Sequence, residues 1–111
     1  MGEAMQAGFR SEVEKSGNET KVTCHGRLVA ETAKQLKEVV KPLVPLGGRI
    51  QVDLTDVNYV DSSGLGTLVG LKASALHEGY CTLEFINLSA RLTELLRITK
   101  LTELFASKPE S

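Results

Sequence analysis

The chain has 111 residues, a formal net charge of −1 and 24% charged residues. This length predicts a single domain, residues 1–111, that can bury a core without disulfides or metals. The near-zero charge gives no reason to expect nucleic acid as a partner. No apolar run reaches the roughly 20 residues that a membrane-spanning helix needs, so membrane insertion is not expected either. We therefore expect a cytoplasmic protein.

The N-terminal part of the chain predicts a β-hairpin. Residues 1–8 are expected to be flexible, as are residues 107–111 at the other end. Phe9 to Val13 alternates weakly between apolar and polar residues and predicts a first strand. Gly17-Asn18 is a turn signal, so a second strand is expected to return as a hairpin and to end at Gly26.

The first helix is predicted from apolar residues at helical spacing, which are Ala33, Leu36, Val40 and Val44. Glu31 or Thr32 lies near its start, and Pro42 is expected to end or kink it. The outer face of this helix carries Lys34, Lys37, Glu38 and Lys41.

The second half of the chain alternates strands with helices. A third strand is predicted from Arg49 to Leu54, and a central helix from Leu65 to Leu76. Gly79 is expected to cap the end of that helix, and a fourth strand follows from Cys81 to Ile86.

The C-terminal part predicts a third helix from three leucines at helical spacing, Leu92, Leu95 and Leu96. Asn87 and Ser89 can cap this helix, because their side chains accept hydrogen bonds from first-turn N–H groups. Residues 99–106 predict either a short helix or a final edge strand, and periodicity does not decide between the two.

The pattern of the strands decides between two architectures. Parallel strands covered on both faces are apolar throughout, whereas each strand here alternates between apolar and polar residues. We therefore expect an α/β two-layer sandwich, with a mixed four- to five-stranded sheet and helices on one face. The other face is expected to be solvated or used for contacts, and it carries Lys21, Thr23, His25, Gln51, Asp53, Thr82 and Glu84.

The cysteines and histidines give no sign of a catalytic or metal site. Cys24 and Cys81 are interpreted as reduced core thiols rather than a disulfide or a reactive nucleophile. His25 and His77 are isolated, and no cluster has the spacing of metal ligands. Gly64-Leu65-Gly66 lacks the third glycine of a dinucleotide fingerprint and the lysine of a phosphate loop. We expect no cofactor and no metal.

The most informative segment joins the third strand to the central helix and reads Val60-Asp61-Ser62-Ser63-Gly64-Leu65-Gly66. Two hydroxyls beside a carboxylate therefore lie where a helix presents unpaired N–H groups and its positive end. Each of Gly64, Gly66 and Gly70 costs about 1 kcal/mol relative to Ala within a helix, which suggests a close approach. The segment is either a docking surface that a modification can switch or a set of helix caps, with Ser63 expected to cap.

Gly66 and Gly70 begin a stripe of small residues on the central helix, which Ala73 and Ser74 continue. One interpretation is close packing of this stripe on the protein's own sheet or helices. The other is a flat surface on which a partner docks. Both stay open, because a bare helix face admits either neighbour.

The succession of strand, Asp-Ser-Ser-Gly turn, helix, strand and helix resembles the STAS domain, and specifically the anti-anti-sigma factors of bacteria. The resemblance runs from roughly Thr20 to Phe105. Its most specific part extends from Val52-Asp53-Leu54 to the segment Asp61 through Gly66. Supporting pieces are Gly26-Arg27-Leu28 and Ile98-Thr99-Lys100-Leu101.

This resemblance implies an anti-sigma factor antagonist, a protein-binding switch without enzymatic activity. A serine kinase that is also the anti-sigma factor would phosphorylate Ser62, with Ser63 as the alternative acceptor. The unphosphorylated form would bind the kinase and free the sigma factor, and a serine phosphatase would reset the switch. The residues implied in partner binding are Asp61, Ser62, Ser63, Gly64, Leu65, Gly66 and Gly70. Val29 departs from the pattern, since many antagonists carry an acidic residue there.

The sequence leaves two alternative functions to consider. A STAS scaffold subunit of a transporter or signalling assembly, without phosphorylation, shares the same fold and hydroxyls. An enzyme with Ser62 as a hydrolase nucleophile is disfavoured, because the segment is not G-x-S-x-G and no histidine is placed as a base. The sequence does not indicate an oligomeric state.

Overall fold

The structure is a computed structural model that describes residues 8–79 and 81–106, without the side chains of residues 104 and 106. The ends expected to be flexible lie outside these residues, apart from Gly8. The strands are β1 Phe9–Ser16, β2 Glu19–Leu28, β3 Gly48–Val60 and β4 Cys81–Ile86. The helices are α1 Ala30–Val40, a 3-10 helix Lys41–Leu46, α2 Ser62–Glu78, α3 Ala90–Ile98 and α4 Thr102–Ala106.

The strands form one sheet whose spatial order, β1-β2-β3-β4, follows the chain. The β1–β2 pair is antiparallel and is joined at Gly17-Asn18, which confirms the predicted hairpin. The β2–β3 and β3–β4 pairs are parallel, with α1 and α2 in the connections between them. The predicted mixed sheet is confirmed with four strands in the described part of the chain, and residues 102–106 form a helix rather than an edge strand.

One face of the sheet and the helices share a single hydrophobic core. Ile50, Val52 and Leu54 project from β3 into this core and are at most 1% exposed, as their alternation predicts. Each fully buried side chain of this kind contributes about 1.5–3 kcal/mol. The helices supply Leu36, Val40, Leu68, Leu71, Ala75 and Leu92 to the same core.

The opposite face of the sheet carries the predicted polar side chains, most of them exposed or half-buried. Asp53 differs, because it is only 8% exposed. Hydrogen bonds from Thr55 and Asn87 enclose its carboxylate, so contacts within the protein, rather than solvent, surround this part of the face.

Three strands continue past their predicted ends, and β1 extends from Val13 to Ser16 within the hairpin. β2 runs through Gly26 to Leu28, and β3 reaches Val60 instead of stopping at Leu54. The extensions of β2 and β3 pair with each other in parallel, with register shifts that follow Thr23 and Gly26. Tertiary pairing therefore overrides the turn signal at Gly26, whose φ of 111° suits an irregularity in a strand.

Three helix ends follow the predicted signals, namely the ends of α1 and α2 and the start of α3. The α-helical bonding of α1 ends before Pro42, and the 3-10 helix that follows keeps Val44 buried. Gly79 adopts a left-handed conformation with φ of 78° and caps α2. Ser89 caps α3 through the Leu92 N–H, whereas the side chain of Asn87 donates to Asp53 instead.

Candidate docking site at the start of helix α2

The backbone turns from strand to helix at Asp61, directly after β3. Its N–H donates to the carbonyl of Leu28 at 3.2 Å, which ties the turn to the end of β2. Its carboxylate accepts a hydrogen bond from the Gly64 N–H at 2.9 Å, so Asp61 is the N-cap of α2. Such a cap contributes about 1 kcal/mol. The turn lies at the carboxyl ends of parallel strands, the edge where open α/β sheets bind ligands.

Ser62 and Ser63 are the first two residues of α2, and both are exposed. Neither hydroxyl makes a hydrogen bond to any residue in the described part of the chain. The expectation that Ser63 caps the helix is wrong, because the cap requires the extended residue before the first turn, which is Asp61. α2 also begins three residues before the predicted Leu65. The Ser62 hydroxyl is thus accessible at a positive helix end.

The three glycines near the start of α2 have two different environments. Gly64 is buried, and a Cβ at this position would lie 2.1 Å from the Leu28 carbonyl oxygen. Gly66 and Gly70 are exposed, and a Cβ at either would meet no atom within 4 Å. The close approach that the sequence suggests therefore occurs at Gly64. At Gly66 and Gly70, the stripe of small residues is not packed against the described part of the protein.

A groove with a volume of about 470 Å³ runs between α2 and the continuous segment formed by α1 and the 3-10 helix. We call it the α1–α2 groove; it is lined by Lys37, Lys41, Val44, Ser63, Gly66, Thr67, Gly70, Leu71 and Ser74. The sequence places Lys37 and Lys41 only on an outer helix face, so their meeting with Ser63 was not predicted. No local signal could reveal it, because the sheet crossover brings the two helices together.

The predicted site residues therefore separate by exposure. Ser62, Ser63, Gly66 and Gly70 present an open surface, whereas Gly64 is enclosed by the protein itself. Half-buried Leu65 packs against the core, so its side chain is only partly available to a partner.

The polar sheet face carries a buried carboxylate network. Asp53 accepts hydrogen bonds from the backbone and the hydroxyl of Thr55 and from the Asn87 amide, and Lys21 Nζ lies 3.5 Å away. Burial opposes ionisation, but the hydrogen bonds from Thr55 and Asn87 and the charge of Lys21 outweigh it and lower the pKa of Asp53 to about 2. This carboxylate is fully ionised at neutral pH.

His25 links three strands on the same face. Its Nδ1 lies 2.6 Å from Asp56 Oδ2 on β3, and its Nε2 lies 3.2 Å from Glu12 Oε1 on β1. The hydrogen bonds with Asp56 and Glu12 raise the pKa of His25 above its ordinary value. Protonation therefore strengthens a link across the sheet, away from the serines of α2.

The two cysteine side chains differ in burial. Both cysteines are free; Cys24 is buried in the core as predicted, whereas Cys81 is only half-buried against it. Burial together with the charge of Asp53 raises the pKa of Cys24 to about 12. Burial also raises the pKa of Cys81. Among the residues described, no group of three His, Cys, Asp or Glu side chains could hold a metal ion. No helix there is long and apolar enough to cross a membrane.

Known proteins share both the sequence pattern and the fold. A family model described as "Mlab, STAS domain" matches residues 11–106. An anti-sigma-B factor antagonist of Bacillus subtilis is 34% identical over 84% of this chain and 84% of its own length. An anti-sigma factor antagonist structure from Mycobacterium paratuberculosis has a TM-score of 0.72 at 20% identity and covers 94% of this chain and 88% of that one.

A second structural neighbour is the Bacillus cell fate determinant SpoIIAA in its phosphorylated form. The TM-score is 0.67 at 15% identity, over 91% of this chain and 93% of that one. These structures share the four-stranded mixed sheet and its helices, which confirms the expected fold. The matched family model spans nearly the whole described chain, and the protein is a member of the STAS domain family.

Proposed function

We propose that the protein is an anti-sigma factor antagonist whose binding is switched by phosphorylation of Ser62. The observation that carries the proposal is the Ser62 hydroxyl, which is exposed, without a hydrogen bond in the described residues, and first in a helix capped by Asp61. Relatives that cover most of the chain are named as anti-sigma-B factor antagonists. A structural neighbour is named as a phosphorylated form.

Charge explains how one group switches binding without unfolding the domain. A phosphate adds about −1.5 to −2 charges, which the positive end of α2 tolerates while the group stays in water. Inside an interface, beside the carboxylate of Asp61, the same charge would be desolvated at a cost of several kcal/mol. The unmodified protein therefore binds, and the modified protein is released.

The proposed partners are an anti-sigma factor that acts as the serine kinase and a phosphatase that resets Ser62. The proposed compartment is the cytoplasm, where bacterial sigma factors direct transcription. The open face of α2, with Gly66 and Gly70 free of neighbouring atoms, is the proposed contact surface.

The test first looks beside this gene for one that encodes a histidine-kinase-like ATPase, which would be the candidate kinase. Protein, kinase and ATP are incubated, and the modified peptide is mapped by mass spectrometry. We expect modification at Ser62 and loss of kinase binding in the modified protein. Modification elsewhere, with Ser62 untouched, would contradict the switch. Binding to a transporter subunit without modification would support the scaffold function instead.

A further inference from the structure

The α1–α2 groove has a positive wall that nothing in the described protein neutralises. Lys37 and Lys41 line it, and no Asp or Glu does. Neither lysine forms an ion pair within the described residues, whereas Lys21 and Arg49 on the sheet face do. Lys37 lies in the last turn of α1, and Lys41 follows four residues later, where its N–H donates to the Lys37 carbonyl. Like charges at this spacing are unfavourable to each other. A groove of this charge stands out in a chain whose net charge is −1.

The opposite wall of the groove suits a peptide backbone. Gly66 and Gly70 leave it open, with no atom within 4 Å of a Cβ built at either position. Three hydroxyls, those of Ser63, Thr67 and Ser74, also line it and can bond backbone amides and carbonyls. The volume of about 470 Å³ lies within the range of clefts that bind ligands.

We propose that the α1–α2 groove receives an acidic segment of the partner protein, whose carboxylates pair with Lys37 and Lys41. The inference rests on the proposed function, because the occupant belongs to the anti-sigma factor kinase. Ser63 lines the groove and directly follows Ser62, so the proposed site of modification adjoins the groove along the chain. A phosphate on Ser62 would therefore repel the same carboxylates that the lysines attract.

The first test measures kinase affinity by calorimetry at low and high salt. We expect the K37Q/K41Q variant to bind about tenfold more weakly than the wild type and to lose most of its salt dependence. The charge-reversed K37E/K41E variant should bind more weakly still. The matched control is K15Q/K34Q, which removes two exposed lysines that lie outside the groove.

The outcomes separate the groove from the switch. If Ser62 phosphorylation abolishes binding while K37E/K41E binds as well as a K15E/K34E control, the groove inference is overturned and the proposed function stands. If the wild type does not bind the kinase, the proposed function fails. A second measurement, made without the kinase, then tests whether the groove binds an acidic peptide.

That measurement titrates the protein with a hexaglutamate peptide and follows backbone amide shifts by NMR. We expect saturable shifts at residues 37–41 and 63–74 in the wild type and in K15Q/K34Q, and their loss in K37Q/K41Q. Shifts that persist in K37Q/K41Q, or no shifts in the wild type, would refute the inference. Equal saturation by free glutamate at lower concentration would identify a small-anion site instead, and would also refute it.

Discussion

The polar face of the sheet and the start of α2 differ in whether their polar groups have hydrogen-bond or charge partners within the described part of the protein. On the sheet face, hydrogen bonds and Lys21 surround Asp53, and two carboxylates hold His25. Beside α2, the hydroxyls of Ser62 and Ser63 and the ammonium groups of the groove have no such partners in the described residues. Groups paired within a fold stabilise it, whereas unpaired groups at an open site are available to another molecule. Substitutions on the sheet face should therefore change stability, and those beside α2 should change binding.

The largest expected effect is on binding, at Ser62. A charge placed there by Ser62→Asp would be desolvated in the interface, at a cost of several kcal/mol, or about 100-fold or more in affinity for the kinase. Ser62→Ala removes a hydroxyl without a bond in the described residues and should bind within a few-fold of the wild type. Calorimetric titration of both variants checks this pair.

Stability provides the control for the Ser62 variants. Both should melt within a few degrees of the wild type, because the hydroxyl is exposed and Asp61 keeps the cap. Equal affinity of Ser62→Asp and Ser62→Ala would show that charge at this position is not the switch.

The next effect is on stability and concerns the one glycine of α2 that packs against its own protein. Gly64→Ala places a Cβ 2.1 Å from the Leu28 carbonyl oxygen, and backbone atoms must move to accept it. We expect a loss of about 2–3 kcal/mol in the free energy of unfolding, measured in urea. No loss would mean that the turn between β3 and α2 adjusts freely, and that Gly64 does not fix the start of the helix.

The buried carboxylate of the sheet face should make stability depend on acid pH. The pKa of Asp53 falls from an ordinary 3.8 to about 2 in the folded protein, so its contribution is present above 3.8 and is lost as pH falls through 2. This shift corresponds to about 2 kcal/mol. Urea unfolding at several pH values should show it in the wild type, and Asp53→Asn should flatten that part of the curve. Parallel curves would contradict the assignment.

Much of the fold could be predicted because local and global preferences agree. Alternation along β4 gave its bounds, and the left-handed Gly79 ended α2 as expected. The extensions of β2 to Leu28 and β3 to Val60 could not be predicted, since their pairing is between strands about 30 residues apart. In the sequence, a glycine at a register shift cannot be distinguished from a turn glycine, because the shift is defined only by the pairing of β2 with β3.

The sequence predicted which consecutive residues form the site, but not which residues from other parts of the chain lie beside them. The sequence located Asp61 and Ser62 correctly at a helix start, because caps and first-turn residues are encoded locally. It could not tell Gly64 from Gly66, since only the distance to Leu28 separates them. The lysines of the α1–α2 groove lie beside α2 because the connections between the parallel strands place the two helices on the same side of the sheet. The spacing of residues within α1 cannot reveal this.

The two open glycines should respond in the opposite sense to Gly64. Gly66→Ala and Gly70→Ala meet no atom within 4 Å and replace a residue that costs about 1 kcal/mol in a helix. Each should therefore raise the free energy of unfolding by up to about 1 kcal/mol. Gly66→Leu should keep this stability and weaken kinase binding, because the larger side chain obstructs the open face. A large drop in melting temperature would show that the stripe is packed after all.

The smallest effect is expected at His25, on the exposed side of the sheet. The hydrogen bonds with Asp56 and Glu12 raise the pKa of His25 in the folded protein, so the native state favours its protonated form. Its contribution to stability is therefore fully present below the ordinary value of 6.5 and is lost as pH rises through the folded pKa. Melting temperature should fall across this range in the wild type and stay level in His25→Gln. His77→Gln, an exposed histidine on α2, should behave like the wild type. If His25→Gln kept the same slope, the link between β1 and β3 through this imidazole would contribute nothing to the sheet.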